Sequence, residues 1–174
     1  EIFREHLPIY RLEQICVPMV EIQAKTLEEV ARFKLQSITD KTDPPYFIED
    51  AGFFVDDHCH GFPGVYSHYV METIGYEGIL RILGNSPQRK AHFEAVIALM
   101  QPDHDVKIFS GKNLGTVSYE ARGTSGFGFD PIFISDDNPG KTFAELGIEQ
   151  KNQISHRRRA VCALINFLKR KTHI

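Results

Sequence analysis

The chain has 174 residues, 42% hydrophobic and 25% charged, with a formal net charge of −3. That length fits one domain, or one domain in two lobes, with a real core. The charge balance excludes a generic binder of nucleic acid or anionic membrane, which would carry a broad basic excess. No apolar run approaches the roughly 18 residues of a membrane span, and no signal peptide is visible. Three widely spaced cysteines, Cys16, Cys59 and Cys162, point to a reducing cytoplasmic setting rather than a disulfide framework.

In chain order, Glu1–Leu7 reads as a helix already under way, which predicts residues upstream of Glu1. Leu27, Val30, Ala31, Lys34, Leu35 and Ile38 recur at helical spacing, so a helix is predicted from Thr26 to about Thr39, capped by Thr26 with Glu29 three residues on. Pro44 and Pro45 stop it. Tyr46-Phe47-Ile48 predicts a short buried strand with Glu49 and Asp50 at its carboxyl end, and Phe53-Phe54-Val55 extends after Gly52. Turn residues fill Asp57 to Gly64. His58-Cys59-His60, beside Asp56 and Asp57, has no second ligand cluster at a matching spacing and reads as a polar hairpin tip.

Ser67 to about Leu83 reads as helix broken near Gly75. Lys90–Met100 and Val106–Ser110 read as strands around a turn, with a further strand over Leu114–Ala121. Thr142-Phe143-Ala144-Glu145 is a capping-box pattern, and Ser155 is the expected N-cap of a final helix with Val161, Ala163, Leu164, Ile165 and Leu168 on its apolar face. Interleaved strands and helices, with crossover and hairpin connections, predict an α/β protein with a mixed sheet flanked by helices.

Three stretches hold polar residues that packing does not require. FIEDAGF (Phe47–Phe53) sets two carboxylates before Ala51 and Gly52. Carboxylate oxygens are the ligands Mg²⁺ takes, with phosphates completing the shell, although an arbitrary acidic pair at a strand end more often just meets solvent. GTSGFGFDPIF (Gly123–Phe133) places Phe127 and Phe129 around Gly128, then Asp130 before Pro131. Aromatic pairs are ordinarily core, yet a ring face beside a carboxylate would make a slot for a base. KNQISHR (Lys151–Arg157) brings Lys151, His156 and Arg157 to a helix start, where amide N–H groups attract anions. Glu21 alone is an acidic loop residue.

Taken together, FIEDAGFFVD, GFPGVYS, GTSGFGFDPIFI, KTFAEL and KNQISHRRRA, in that order over roughly residues 21 to 168, resemble the inosine triphosphate pyrophosphatase family, the non-canonical purine nucleoside triphosphate pyrophosphatases. The resemblance implies a two-lobed α/β fold with nucleotide in the cleft between lobes. It implies Mg²⁺-dependent cleavage of ITP, dITP and XTP to monophosphate and pyrophosphate by a homodimer. By position, Asp50 matches the acid that binds metal and activates water, and Glu21 a second metal carboxylate. Ala51 lies beside this centre among the substrate contacts. Phe127, Gly128, Phe129 and Asp130 match the base pocket, with Phe129 expected to stack on the base and Asp130 to read its edge. Lys151, His156 and Arg157 match substrate contacts, the last two near the purine, and Lys34 aligns with a phosphate-contacting lysine after a one-residue shift. The family's (T/S)-x-N-x-x-K phosphate loop has no counterpart here, so the domain is expected to lack its first strand and that loop. Two other readings stay open at this point: a pyrophosphatase for modified pyrimidine nucleotides, and a nucleotide-binding module without catalysis.

Overall fold

The computed structural model describes residues 11–171, so the helix expected over Glu1–Leu7 lies outside the described residues. Helix α1 (Leu27–Gln36) precedes strand β1 (Tyr46–Val55), the two-residue β2 (Pro63–Gly64), and helices α2 (Ser67–Thr73) and α3 (Gly75–Leu83). Strands β3 (Lys90–Met100) and β4 (Val106–Val117) follow, then a 3₁₀ turn (Asp130–Ile132), β5 (Phe133–Ser135), α4 (Phe143–Ile154) and α5 (His156–Lys171). No helix among the described residues is long and apolar enough to cross a membrane.

The α/β plan stands, with one difference in the sheet. Its order is β2-β1-β3-β4-β5, and every ladder among the described residues is antiparallel. The excursion through α2 and α3 leaves β1 at Val55 and returns at Ala91, its direct partner on β3. The chain therefore re-enters at the edge it left, and no parallel crossover results.

Local chemistry explains the elements. Thr26 caps α1 through its hydroxyl, which accepts the Glu29 N–H at 3.2 Å, while the Glu29 carboxylate accepts the Thr26 N–H at 3.0 Å. Leu27, Val30, Ala31 and Leu35 then bury one stripe against the sheet. Gly75, at φ 65°, breaks the 67–83 helix into α2 and α3. At the other end of the chain the Ser155 hydroxyl accepts the Arg158 N–H at 3.2 Å and opens α5, whose Ala160, Leu164 and Ile165 are buried.

Two strands run further than the sequence predicts. Strand β1 runs unbroken through Gly52, so Glu49 and Asp50 sit mid-strand rather than at a carboxyl end. A Cβ on Gly52 would lie 2.5 Å from the Gly64 carbonyl oxygen; the glycine admits β2, not a turn. Likewise β4 is one strand where two were expected, and a Cβ on Gly111 would stand 2.3 Å from the His156 carbonyl oxygen and 2.4 Å from the Ala160 nitrogen. Gly111 lets the first turn of α5 lie directly on the strand.

The sheet is covered differently along its length. One end carries α1 on one face and α5 on the other. The other end carries α2, α3 and α4 around an aromatic cluster of Phe53, Phe93, Phe129, Phe133 and Phe143. Phe93 meets Phe133 edge-on at 4.9 Å, and Phe133 meets Phe143 in the same way at 4.9 Å. Each buried ring contributes roughly 1.5–3 kcal/mol by transfer from water. A cleft of about 310 Å³ opens where the two packed regions meet.

Candidate active site

The floor of the cleft is β-sheet: Ala51, Gly52 and Phe53 of β1 with Phe93 of β3. One wall is the glycine-rich loop, Phe127 to Asp130; the other is the α4–α5 junction, Lys151, His156 and Arg157. Ser67, His68 and Met71 of α2 complete the lining. The sequence reading did not single these three out, because nothing local distinguishes them from an ordinary helix start.

Asp130 organises the loop. Its carboxylate, 1% exposed, accepts the Phe127 N–H at 2.8 Å and also the Lys151 ammonium. Gly126 sits at φ 81°, and a Cβ there would lie 2.1 Å from Asp130 Oδ2, so the loop can close on the carboxylate only without a side chain. The expected role of Asp130, accepting from a base edge, gives way to this one. Its charge fastens α4 to the loop, a contact across 21 residues of sequence.

The two aromatics divide. Phe129 is 3% exposed and stacks on Phe53 at 4.7 Å with 19° between planes. It is core, so the expectation that it stacks on a base is corrected. Phe127 is 63% exposed, with the Lys151 ammonium 4.3 Å and the Arg157 guanidinium 5.3 Å from its ring centre. Gly128, at φ 61°, turns the chain between them and sends the two rings in different directions. The F-G-F pattern cannot say which ring goes inward.

His156 is 3% exposed and lies flat on Phe93, ring centres 4.8 Å apart and planes 9° apart. Burial, then the nearby Arg157 and Lys151 charges, push its pKa down to about 3. The imidazole is neutral at physiological pH, and its buried Nδ1 has no hydrogen-bond partner among the described residues. An unfolded imidazole takes its proton near 6.5, so this group's contribution to stability is intact above pH 6.5 and falls as pH drops toward about 3. Between those limits His156→Gln is expected to flatten the pH dependence of urea unfolding by up to about 1.4 kcal/mol per pH unit. Parallel curves for variant and wild type would mean that the ring is protonated in the native state.

Across β1 from the cleft lies a second polar centre. The Lys34 ammonium, from α1, bridges Asp50 Oδ2 at 2.9 Å and Glu21 Oε2 at 2.7 Å. Burial alone would lower the Lys34 pKa, but the two carboxylates outweigh it and hold it above its ordinary value. The other Asp50 oxygen accepts the Ala51 N–H at 3.0 Å. Thus Glu21, Lys34 and Asp50 do come together. Glu49 does not join them: on the opposite face of β1 its Oε1 accepts from Arg157 Nε at 2.9 Å. The alternation of a strand carries this division, and reading the acidic pair as one unit missed it.

Two hard carboxylates already gathered around one cation suit a divalent metal whose remaining ligands are phosphate and water. Among the described residues no group of three or more His, Cys, Asp or Glu side chains forms a protein cage for a metal. His58, Cys59 and His60 lie in the 57–61 turn.

The architecture is therefore an α/β protein whose cleft of rings and cations backs, through one strand, onto a carboxylate–lysine centre. The chain belongs to the Ham1 family, whose model matches residues 1–167. It is 49% identical over 156 residues to the dITP/XTP pyrophosphatase of Thermococcus kodakarensis, covering 90% of this chain and 83% of that protein. To the dITP/XTP pyrophosphatase of Pyrococcus horikoshii it is 47% identical over 149 residues, 86% of this chain and 78% of the relative. Its fold superimposes on the Staphylococcus aureus Ham1 protein with a TM-score of 0.86 at 34% identity, covering 98% of this chain and 92% of that one.

Proposed function

We propose that the chain hydrolyses non-canonical purine nucleoside triphosphates, ITP, dITP and XTP, to the monophosphate and pyrophosphate. The observation that carries this reading is the neutral, buried His156 beside Arg157 at the mouth of a cleft that also presents the exposed ring of Phe127. A guanidinium and an imidazole N–H donate well to the 6-keto oxygen of hypoxanthine or xanthine. The 6-amino group of adenine offers them no acceptor, and buried groups left unpaired make the wrong base costly.

With the base in the cleft, the phosphates extend past Ala51 toward Lys34, whose ammonium steadies their charge. Asp50 takes a proton from water as the water oxygen attacks the α-phosphorus; the bond from that phosphorus to the bridging oxygen breaks, and pyrophosphate leaves. Mg²⁺ held by Glu21 and Asp50 would neutralise charge that builds on the phosphates. A homodimer in the reducing cytoplasm belongs to the same reading, and the free thiols of Cys16, Cys59 and Cys162 agree with that compartment.

The test is kcat/KM for dITP, XTP and dATP, read as pyrophosphate released. A preference for the keto purines of about a hundredfold is expected, narrowing in His156→Ala and in Arg157→Ala. Equal losses for dITP and dATP in both variants would show that these residues grip phosphate and that the base reading is wrong.

A further inference from the structure

The acidic pair at the middle of β1 has been divided by the strand. Asp50 faces α1 and the Lys34 ammonium; Glu49 faces α5. We propose that Glu49 is a positioning residue for base recognition: it holds the Arg157 guanidinium at the cleft mouth so that its terminal amino groups meet a keto purine. This rests on the reading of the cleft given above and adds to it a residue outside the cleft lining.

Three observations carry it. The contact is made through Nε, at 2.9 Å. It therefore leaves both terminal nitrogens of Arg157 without a protein acceptor among the described residues, while fixing the plane of the group. The same guanidinium sits 5.3 Å from the Phe127 ring, on the one large aromatic exposed in the cleft. Finally, Glu49 is set in the continuous ten-residue ladder of β1 on β3, opposite Ile97, with Asp50 opposite Val96. A carboxylate on such a strand is a fixed anchor, whereas an arginine at a helix start is long and rotatable. One residue step along β1 thus ties the base end of the site to its phosphate end.

A metal or proton-transfer role for Glu49 fits the geometry poorly, because its carboxylate lies on the other face of the strand from Glu21, Lys34 and Asp50. A contribution to fold stability is also small. Glu49 and Arg157 are 30% and 43% exposed at their side chains, and pairs this open to solvent contribute little. Removing the carboxylate should leave the protein folded, so its effect on function can be read directly.

The experiment is a double-variant cycle on the full chain, with kcat/KM measured for dITP and dATP and Mg²⁺ titrated in each protein. Glu49→Ala is expected to lower the dITP/dATP preference about tenfold, as Arg157→Ala does, and the double variant to lower it no further. Glu49→Gln, which keeps a neutral acceptor of the same length, should retain most of the preference. The Mg²⁺ concentration for half-activity and the melting temperature should be unchanged in all four variants. Independent, multiplying losses in the double variant, an unaltered preference in Glu49→Ala, or a shifted Mg²⁺ requirement would each overturn the assignment. A wild-type protein with no preference for dITP over dATP would instead sink the functional reading itself. A clear wild-type preference without coupling would remove Glu49 alone.

Discussion

Replacing Asp50 by Asn is expected to leave a folded protein that hydrolyses dITP about 10²–10⁴ times more slowly. The substitution is nearly isosteric, and an asparagine carbonyl can still accept the Ala51 N–H that Asp50 Oδ1 accepts at 3.0 Å. What disappears is the charge. Lys34 keeps Glu21 at 2.7 Å and the buried stripe of α1 keeps that helix on the sheet, but the group proposed to face the attacking water can no longer take its proton. Charge used as the transition state forms shows in kcat more than in KM. The checks are kcat and KM at saturating Mg²⁺, and a Mg²⁺ titration, which should shift to higher concentration because one of the two proposed hard ligands has become neutral. Near-full turnover would remove Asp50 from the chemistry and leave Lys34 and the phosphates to explain catalysis.

The parts of this molecule that sequence made legible are those governed by local chemistry. The Thr26–Glu29 box, the Ser155 cap and the eleven-residue span of β3, Lys90–Met100, depend on neighbours a few residues away, and the reading located each of them. The candidate site residues were picked out in another way, through the order of five motifs, and the fold sets them around the cleft or behind it. What failed was everything that depends on what lies opposite. The predicted strands stopped beside Gly52 and Gly111 because a glycine that admits Gly64 or the start of α5 carries the same letter as one that turns the chain. Asp130 looked like a ligand group because its true partner, Lys151, is remote in sequence and looked like a ligand group too. Two opposite charges, each assigned to an absent substrate, satisfy one another.

The same ambiguity governs the two phenylalanines, and one pair of variants resolves it. Phe129→Ala removes a ring that is 3% exposed and stacked on Phe53 within the aromatic cluster. Deleting a buried phenylalanine costs about 3–5 kcal/mol, because the cavity collapses only partly. For a chain of this length that corresponds to a fall in Tm of roughly 10 °C. Activity should then follow the folded fraction, with KM for dITP little changed below the transition. Phe127→Ala removes a ring that is 63% exposed and, among the described residues, stacks on no other ring but meets the Lys151 and Arg157 cations. Its Tm should stay close to wild type. Its kcat/KM should drop for dITP, XTP and dATP alike by the equivalent of about 1–3 kcal/mol, since every base has a π-face and stacking does not read the edge. The outcomes are therefore crossed: one variant loses stability and keeps affinity, the other keeps stability and loses affinity without losing selectivity. If Phe127→Ala binds every nucleotide as tightly as wild type, the base does not lie on that ring, and the cleft between Phe127 and Arg157 is not where the purine sits. If it loses dITP but not dATP, the ring acts by holding Arg157 in place, and Phe127 joins Glu49 as a second anchor of the residue that reads the keto edge.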